Sequence, residues 1–102
     1  MRVKDVLVLK EAIHDLEEGK SFYDFQESGI GSYFWDCLIT DIESLIIYAC
    51  IHGKKAGLYQ MFSKRFPYAI YYEILDSVVY VVAVLPMRRD PAWISKQLKG
   101  RG

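Results

Sequence analysis

Lys64-Arg65-Phe66-Pro67-Tyr68-Ala69-Ile70-Tyr71-Tyr72-Glu73-Ile74 is followed, after a short break, by Val78-Val79-Tyr80-Val81-Val82-Ala83-Val84-Leu85. The two runs read as adjacent antiparallel strands. In the first, Phe66, Tyr68, Ile70, Tyr72 and Ile74 fall on one face at the two-residue strand period, and Arg65, Pro67, Ala69, Tyr71 and Glu73 fall on the other. The second run is β-branched on both faces, so neither of its sides is fully wet. Asp76-Ser77 supplies a short polar turn between them, and Arg88-Arg89-Asp90-Pro91 ends the second strand with a pair of cations at the rim of the sheet.

Upstream of this hairpin, Leu58-Tyr59-Gln60-Met61-Phe62 reads as a further strand, reached through a basic turn over 52–57. Near the start of the chain, Val6-Leu7-Val8-Leu9 is a short apolar strand. From Lys10 the period changes: Leu9, Ala12, Ile13, Leu16 and Phe22 or Tyr23 recur at near-helical spacing, with Glu11, Asp15, Glu17 and Glu18 on the other side. Gly19 weakens this helix without ending it. The stretch 27–31 breaks the pattern, and Ser32 offers a side-chain cap for a second helix over about 32–51. Its stripe is Phe34, Leu38, Ile42, Leu45 and Ala49. Ile47 falls opposite that stripe and Ile51 beside it on the polar side, so both are candidate contacts for a partner. At the other end, Asp90 as N-cap and Pro91 at the first helical position predict a short helix over 91–99 carrying Trp93, Ile94 and Leu98, with Gly100-Arg101-Gly102 as a frayed tail. The expected architecture is α+β, a single domain over 1–102. Its order is β-α-α-β-β-β, with a helical hairpin packed on an antiparallel sheet and a short C-terminal helix.

The chain has 102 residues, 52% of them hydrophobic and 15% aromatic, enough for one core and well outside the disordered range. Net charge is zero but unevenly spread. Residues 1–51 hold four cations against ten acids, hence −6, and residues 52–102 hold nine cations against three acids, hence +6. A bipolar molecule with only a basic half is a poor general nucleic-acid binder, and no direct sequence-specific nucleic-acid binding is expected. No apolar run approaches the roughly 20 residues of a membrane-spanning helix, and no signal peptide is evident at the start, so the expected location is the cytoplasm, with no membrane partner. Cys37 and Cys50, read on one helix, stand about 20 Å apart, too far for a disulfide. His14 and His52 are isolated and read as surface or helix-end residues. No metal site and no cofactor is expected.

Among the residues of the hairpin, Tyr68 and Tyr72 read as core with bonded hydroxyls, whereas Tyr71 faces the other way and is the better candidate for exposure. Lys54, Lys55, Lys64 and Arg65 cluster near loops.

Leu9-x-x-Ala12-x-x-x-Leu16, Phe22-Tyr23, Gly29-Ile30-Gly31-x-x-Phe34, the hairpin RFPYAIYYEI and the AVLPMRRDP that follows it jointly resemble the RelE/ParE superfamily of small bacterial toxins from type II toxin-antitoxin modules, including plasmid-stabilisation systems. The likeness covers almost the whole chain. It implies the same element order and a cognate antitoxin as principal partner, lying across the apolar groove of the helices or augmenting a sheet edge, with Ile47 and Ile51 as candidate contacts. RelE-like members resemble ribosome-dependent endonucleases of messenger RNA. Against that pattern this chain has Gln60 and Phe62 in place of lysines, Ala69 and Met87 in place of arginines, Trp93 near the place of a tyrosine, and Pro86 at a usual histidine position. An indole cannot exchange a proton as a phenol can. No catalytic residue is assigned. The ParE-like branch acts by binding DNA gyrase and needs no catalytic set. That branch is the favoured expectation, with Arg88, Arg89, Lys64, Arg65, Tyr71 and Trp93 as candidate target contacts. A RelE-like ribosome-dependent endonuclease and an inactive relic or plain binding module are the alternatives.

Overall fold

The computed structural model describes residues 2–101; Met1 and Gly102 lie outside the described residues. The hairpin of β4 (Tyr68–Leu75) and β5 (Val78–Pro86) forms the centre of the sheet, with Leu75 paired to Val78 across a two-residue turn. Both turn residues, Asp76 (φ 51°) and Ser77 (φ 65°), take the left-handed backbone whose twist matches that of the strands it joins. Outside β4 lies β3 (Leu58–Phe62), then a two-residue strand β2 (Lys54–Lys55). Within the expected basic turn, Ala56 (φ 54°) and Gly57 (φ 82°) therefore make a second hairpin. On the other side of β5, β1 (Asp5–Val8) joins in parallel, so the five-stranded sheet is mixed and its order is β1-β5-β4-β3-β2.

Between β1 and β2 the chain forms α1 (Lys10–Gln26), α2 (Ile30–Glu43) and a single turn α3 (Leu45–Tyr48); α4 (Pro91–Lys99) follows β5. The α+β order read from the sequence holds. Two local expectations for the second helix do not. Ser32 is inside α2 rather than its cap: the helix starts at Ile30 from a left-handed Gly29 (φ 94°), and Asp24 of α1 accepts from the Gly31 N–H at 2.8 Å. Further on, the helix breaks at Ser44, whose hydroxyl donates to the Asp41 carbonyl at 2.6 Å, competing with the helical ladder. Ala49 and Cys50 thus lie beyond the helices, and Cys37 and Cys50, both free thiols, do not share one.

The hairpin's two faces divide the core as the strand period requires. Tyr68, Ile70 and Tyr72 of β4 pack with Val79, Val81 and Val84 of β5 under the helical hairpin, against Ala12, Leu16, Phe34, Leu38, Ile42 and Leu45. On the opposite face Ala69, Tyr71, Val82, Ala83 and Leu85 pack under α4, against Ile94 and Leu98. A bulge between Tyr71 and Tyr72, which pair with Ala83 and Val81, leaves Val82 as an extra residue on β5. The extra residue puts Val82 and its neighbour Ala83 on the same face, and the alternation resumes with Val84.

Two glycines set the approach of α1 to α2. A Cβ on Gly19 would lie 2.5 Å from Phe34 Cζ, and one on Gly31 would collide with the Lys20 carbonyl and the Asp24 carboxyl. Gly19 therefore serves packing, which offsets the helix propensity it lacks. Phe34, seated there, joins Tyr23, Phe66 and Tyr68 in an aromatic cluster with ring centroids 4.8–6.4 Å apart.

Candidate functional site: an arginine groove between two helices

Past Val81, where β1 ends, the outer backbone edge of β5 has no strand partner. Asp15 of α1 takes over there. Its Oδ2 accepts from the Val84 N–H at 2.9 Å, and Arg101 binds both carboxylate oxygens while donating to the Val82 carbonyl at 3.4 Å. Arg101 is also within 3.3 Å of the Gln97 side-chain oxygen and 3.6 Å of Glu11. The Asp15 and Arg101 side chains are only 7% and 9% exposed, so the ion pair substitutes for the missing strand. The hydrogen bond to Asp15 raises the Arg101 pKa, outweighing its burial. The residues expected to fray therefore include an anchor, Arg101; Gly102 lies outside the described residues.

This ion pair lies along an open groove of about 410 Å³ between α1 and the segment from the end of β5 through α4. Asp15, Glu18, Gly19 and Phe22 line one wall; Arg88, Arg89, Trp93 and Gln97 line the other. The Arg88 guanidinium lies 4.3 Å from the Phe22 ring centroid and that of Arg89 3.9 Å from the Trp93 centroid. Among the described residues neither makes an ion pair with an acid. A ring face attracts a guanidinium without accepting its N–H hydrogen bonds, so the pair is positioned and, among the described residues, not neutralised by an ion pair. Tyr68 reaches the groove with its hydroxyl. Burial pushes its pKa up, and the hydrogen bond and charge of Arg88 pull it partly back, so Tyr68 is a weak acid here and no ready base.

The expected target contacts are thus only partly united. Arg88, Arg89 and Trp93 share the groove. Lys64 and Arg65 are exposed but line a separate cleft beside α2, with Tyr33, Asp36, Cys37 and Asp41. The loop that carries them is tied to α2 by Asp41, which accepts from the Ser63 hydroxyl (2.7 Å) and the Lys64 N–H (3.2 Å). Tyr71 corrects its expectation outright: it is 1% exposed, roofed by α4, and its hydroxyl is bonded by Gln60 at 3.0 Å. The face of β4 opposite the helical hairpin is a second core, which period alone could not distinguish from a wet face.

His52, read as a surface or helix-end residue, is half-buried a few residues past α3. Its Nδ1 lies 2.6 Å from the Tyr72 hydroxyl, which accepts from the Cys50 N–H at 3.3 Å, and burial lowers the His52 pKa and raises that of Tyr72. His14 is exposed and paired with Glu18 at 3.0 Å. Ligand atoms of His14, Asp15 and Glu18 lie within 4.8 Å of one another, but the Asp15 carboxylate is already engaged by the Arg101 guanidinium. As a donor set the cluster suits a cation poorly while Arg101 is in place. Ile47 and Ile51 are 75% and 72% exposed, but Ile51 lies past the end of α3, so its exposure does not follow from the helical stripe.

Among the described residues no helix is long and apolar enough to cross a membrane. No family model and no curated protein matches the chain in sequence. Among solved structures, a chain from the chromosomal ParDE TA system of P. aeruginosa matches with a TM-score of 0.76 at 10% identity, over 84% of this chain and 98% of that one. The chain therefore has the fold of a component of that ParDE system, and at this identity the likeness is one of fold.

Proposed function

We propose that this chain is the toxin of a type II toxin-antitoxin pair, of ParE type, which inhibits its target by binding and is neutralised by a cognate antitoxin. The observation that carries the reading is the fold it shares, over most of both chains, with a component of a ParDE toxin-antitoxin system. The groove supports it. Arg88 and Arg89 are held on aromatic rings and, among the described residues, form no ion pair with an acid, which is a binding arrangement. The one phenol beside them has its pKa raised by burial. DNA gyrase is the favoured target, with Arg88, Arg89 and Trp93 as principal contacts and Lys64 and Arg65 as secondary ones in the neighbouring cleft. Ile47 and Ile51 are the proposed antitoxin contacts, and the location is the cytoplasm.

Induction of the chain in bacterial cells tests this directly. The expected result is a DNA-damage response with gyrase-linked breaks, abolished by Arg88→Glu with Arg89→Glu and by co-expression of the antitoxin from a neighbouring reading frame. Prompt arrest of translation with codon-phased messenger-RNA cuts would instead establish a RelE-like nuclease. Unimpeded growth with abundant folded protein would establish an inactive binding module.

A further inference from the structure

The three tyrosines of β4 differ in what their hydroxyls meet. Tyr71 accepts from Gln60, and Tyr72 is engaged by His52 and the Cys50 N–H. Tyr68 is as buried as they are, at 3% exposed, but its hydroxyl opens into the arginine groove and takes a hydrogen bond from Arg88. A guanidinium has no acceptor to offer in return, so among the described residues the Tyr68 O–H is a donor without a taker. Gly19 lines the groove directly over it. A Cβ there would stand 3.2 Å from the Tyr68 oxygen, and the bare glycine leaves that oxygen uncovered.

The groove's acceptors are spent and its donors are not. Asp15 is occupied by Arg101 and Glu18 is paired with His14 at 3.0 Å, while Arg88 and Arg89 form no ion pair among the described residues. Three arginines against Asp15 and Glu18 give the groove a charge of +1 with His14 neutral, which one monoanion answers. A duplex backbone repeats its charge about every 1.7 Å along the axis. Beyond the arginines such a chain meets Glu17 and Glu18, which line the next hollow along α1 with Ser21 and Phe22. A single carboxylate carries no second charge to be repelled there. The rings of Phe22, 40% exposed, and Trp93 flank the arginines and offer apolar surface to its neighbours.

We propose that the groove binds one carboxylate side chain of the target protein, carried in an otherwise apolar segment, with Arg88 and Arg89 as its ion-pair partners and the Tyr68 O–H as a third donor. Tyr68 thereby acts in recognition, on a carboxylate oxygen that the arginines alone would leave half-satisfied. The proposal rests on the toxin reading only in naming the target as the carrier of that side chain.

Proton–nitrogen NMR spectra of the full chain, following the Trp93 indole and the Arg88 and Arg89 Nε–H signals, test it with a blocked Leu-Glu-Leu peptide, its Leu-Gln-Leu counterpart and a short DNA duplex. Leu-Glu-Leu should move these signals to saturation, Leu-Gln-Leu should bind at least about tenfold more weakly for want of charge-assisted hydrogen bonds, and the duplex should not displace the peptide. Tyr68→Phe keeps the ring in its aromatic cluster and should weaken Leu-Glu-Leu at least about threefold. Lys96→Gln removes a charge from the exposed side of α4, outside the groove, and should leave it unchanged. A thermal melt establishes that each variant is folded. Equal binding of the two peptides, displacement by the duplex, or a smaller effect of Tyr68→Phe overturns the proposal. In cells arrested by the parent chain, Tyr68→Phe should relieve the arrest at matched expression, and undiminished arrest overturns the assignment to the target. A parent chain that arrests nothing refutes the toxin reading, and the peptide titration still decides the groove's ligand.

Discussion

Replacing Arg101 by Met removes the guanidinium that holds Asp15 while keeping most of the apolar stem. What remains is a carboxylate whose side chain is 7% exposed, its Oδ2 still accepting from the Val84 N–H at 2.9 Å but its counter-charge gone. Breaking a buried pair from one side costs about 3–5 kcal/mol in well-sealed interiors. This pair borders an open groove and keeps one hydrogen bond, so about 2–3 kcal/mol is expected. For a chain of this size that lowers the melting temperature by about 10–20 °C. Urea unfolding read by tryptophan fluorescence measures the loss, and amide exchange at Val84 reports whether the sheet edge opens locally. Asp15→Asn combined with Arg101→Met is the decisive comparison. The amide can still accept from Val84 and leaves no charge behind, so the double variant should recover at least about 1 kcal/mol of the single variant's loss. If Arg101→Met lies within about 0.5 kcal/mol of the parent, the ion pair does not hold the edge of β5.

Three other perturbations follow from the geometry. Ser77→Gly should stabilise the chain by about 1 kcal/mol, because Ser77 sits at φ 65° where only glycine is unstrained; a thermal melt that fails to rise would show the turn is relaxed. Gly31→Ala should destabilise by more than about 3 kcal/mol, since the new methyl meets the Lys20 carbonyl, a backbone atom that cannot swing aside; a cost under about 1 kcal/mol in urea unfolding would mean the helices can separate freely. His52 has its pKa lowered from 6.5 by burial, so the folded state binds fewer protons than the unfolded one between its depressed value and about 6.5. Stability from this group is present above that window and falls as the pH drops through it, and His52→Gln should flatten the slope there in a pH series of urea midpoints; an unchanged slope assigns it to another group.

Much of the fold was legible because its strongest signals are local. The period-two faces of β4 hold residue for residue, and Asp90 caps α4 by accepting from the Ala92 N–H at 3.1 Å. What period could not convey was what lies on each face. Tyr71 occupies a face that α4 returns to cover, and only the chain's path after Pro86 decides that. Long-range bonds were equally invisible. Asp15 reads as one acid among several on the polar side of α1, yet its partners are 69 and 86 residues away, at Val84 and Arg101. Likewise Ser32 looked like a cap because the true acceptor for that helix start, Asp24, belongs to the preceding helix. A clue to the close crossing was present in Gly19 and Gly31, small residues spaced across two helices, but spacing does not identify the Phe34 ring and the Lys20 carbonyl that require them.

The groove contains three arginines in two electrostatic situations, and the difference assigns their work. Arg101 has two carboxylates around it, Asp15 and Glu11, so its charge is answered within the protein and its donors are occupied. Arg88 and Arg89 have aromatic rings instead. A ring face attracts the cation without accepting its in-plane hydrogen bonds, so each side chain is held in place with donors left over, Arg88 spending part of its fork on the Tyr68 hydroxyl. Ordering has been accomplished before any ligand arrives, which is where long side chains otherwise lose most of their binding free energy. The net charge of −6 over residues 1–51 makes this arrangement selective: acids were available on α1 to neutralise Arg88 and Arg89, and Phe22 faces Arg88 in their stead. A groove with its internal ion pair closed and its two outer arginines open is therefore asymmetric. Structure is secured at the Arg101 side, and the charge left unpaired among the described residues is concentrated at the Arg88 and Arg89 side.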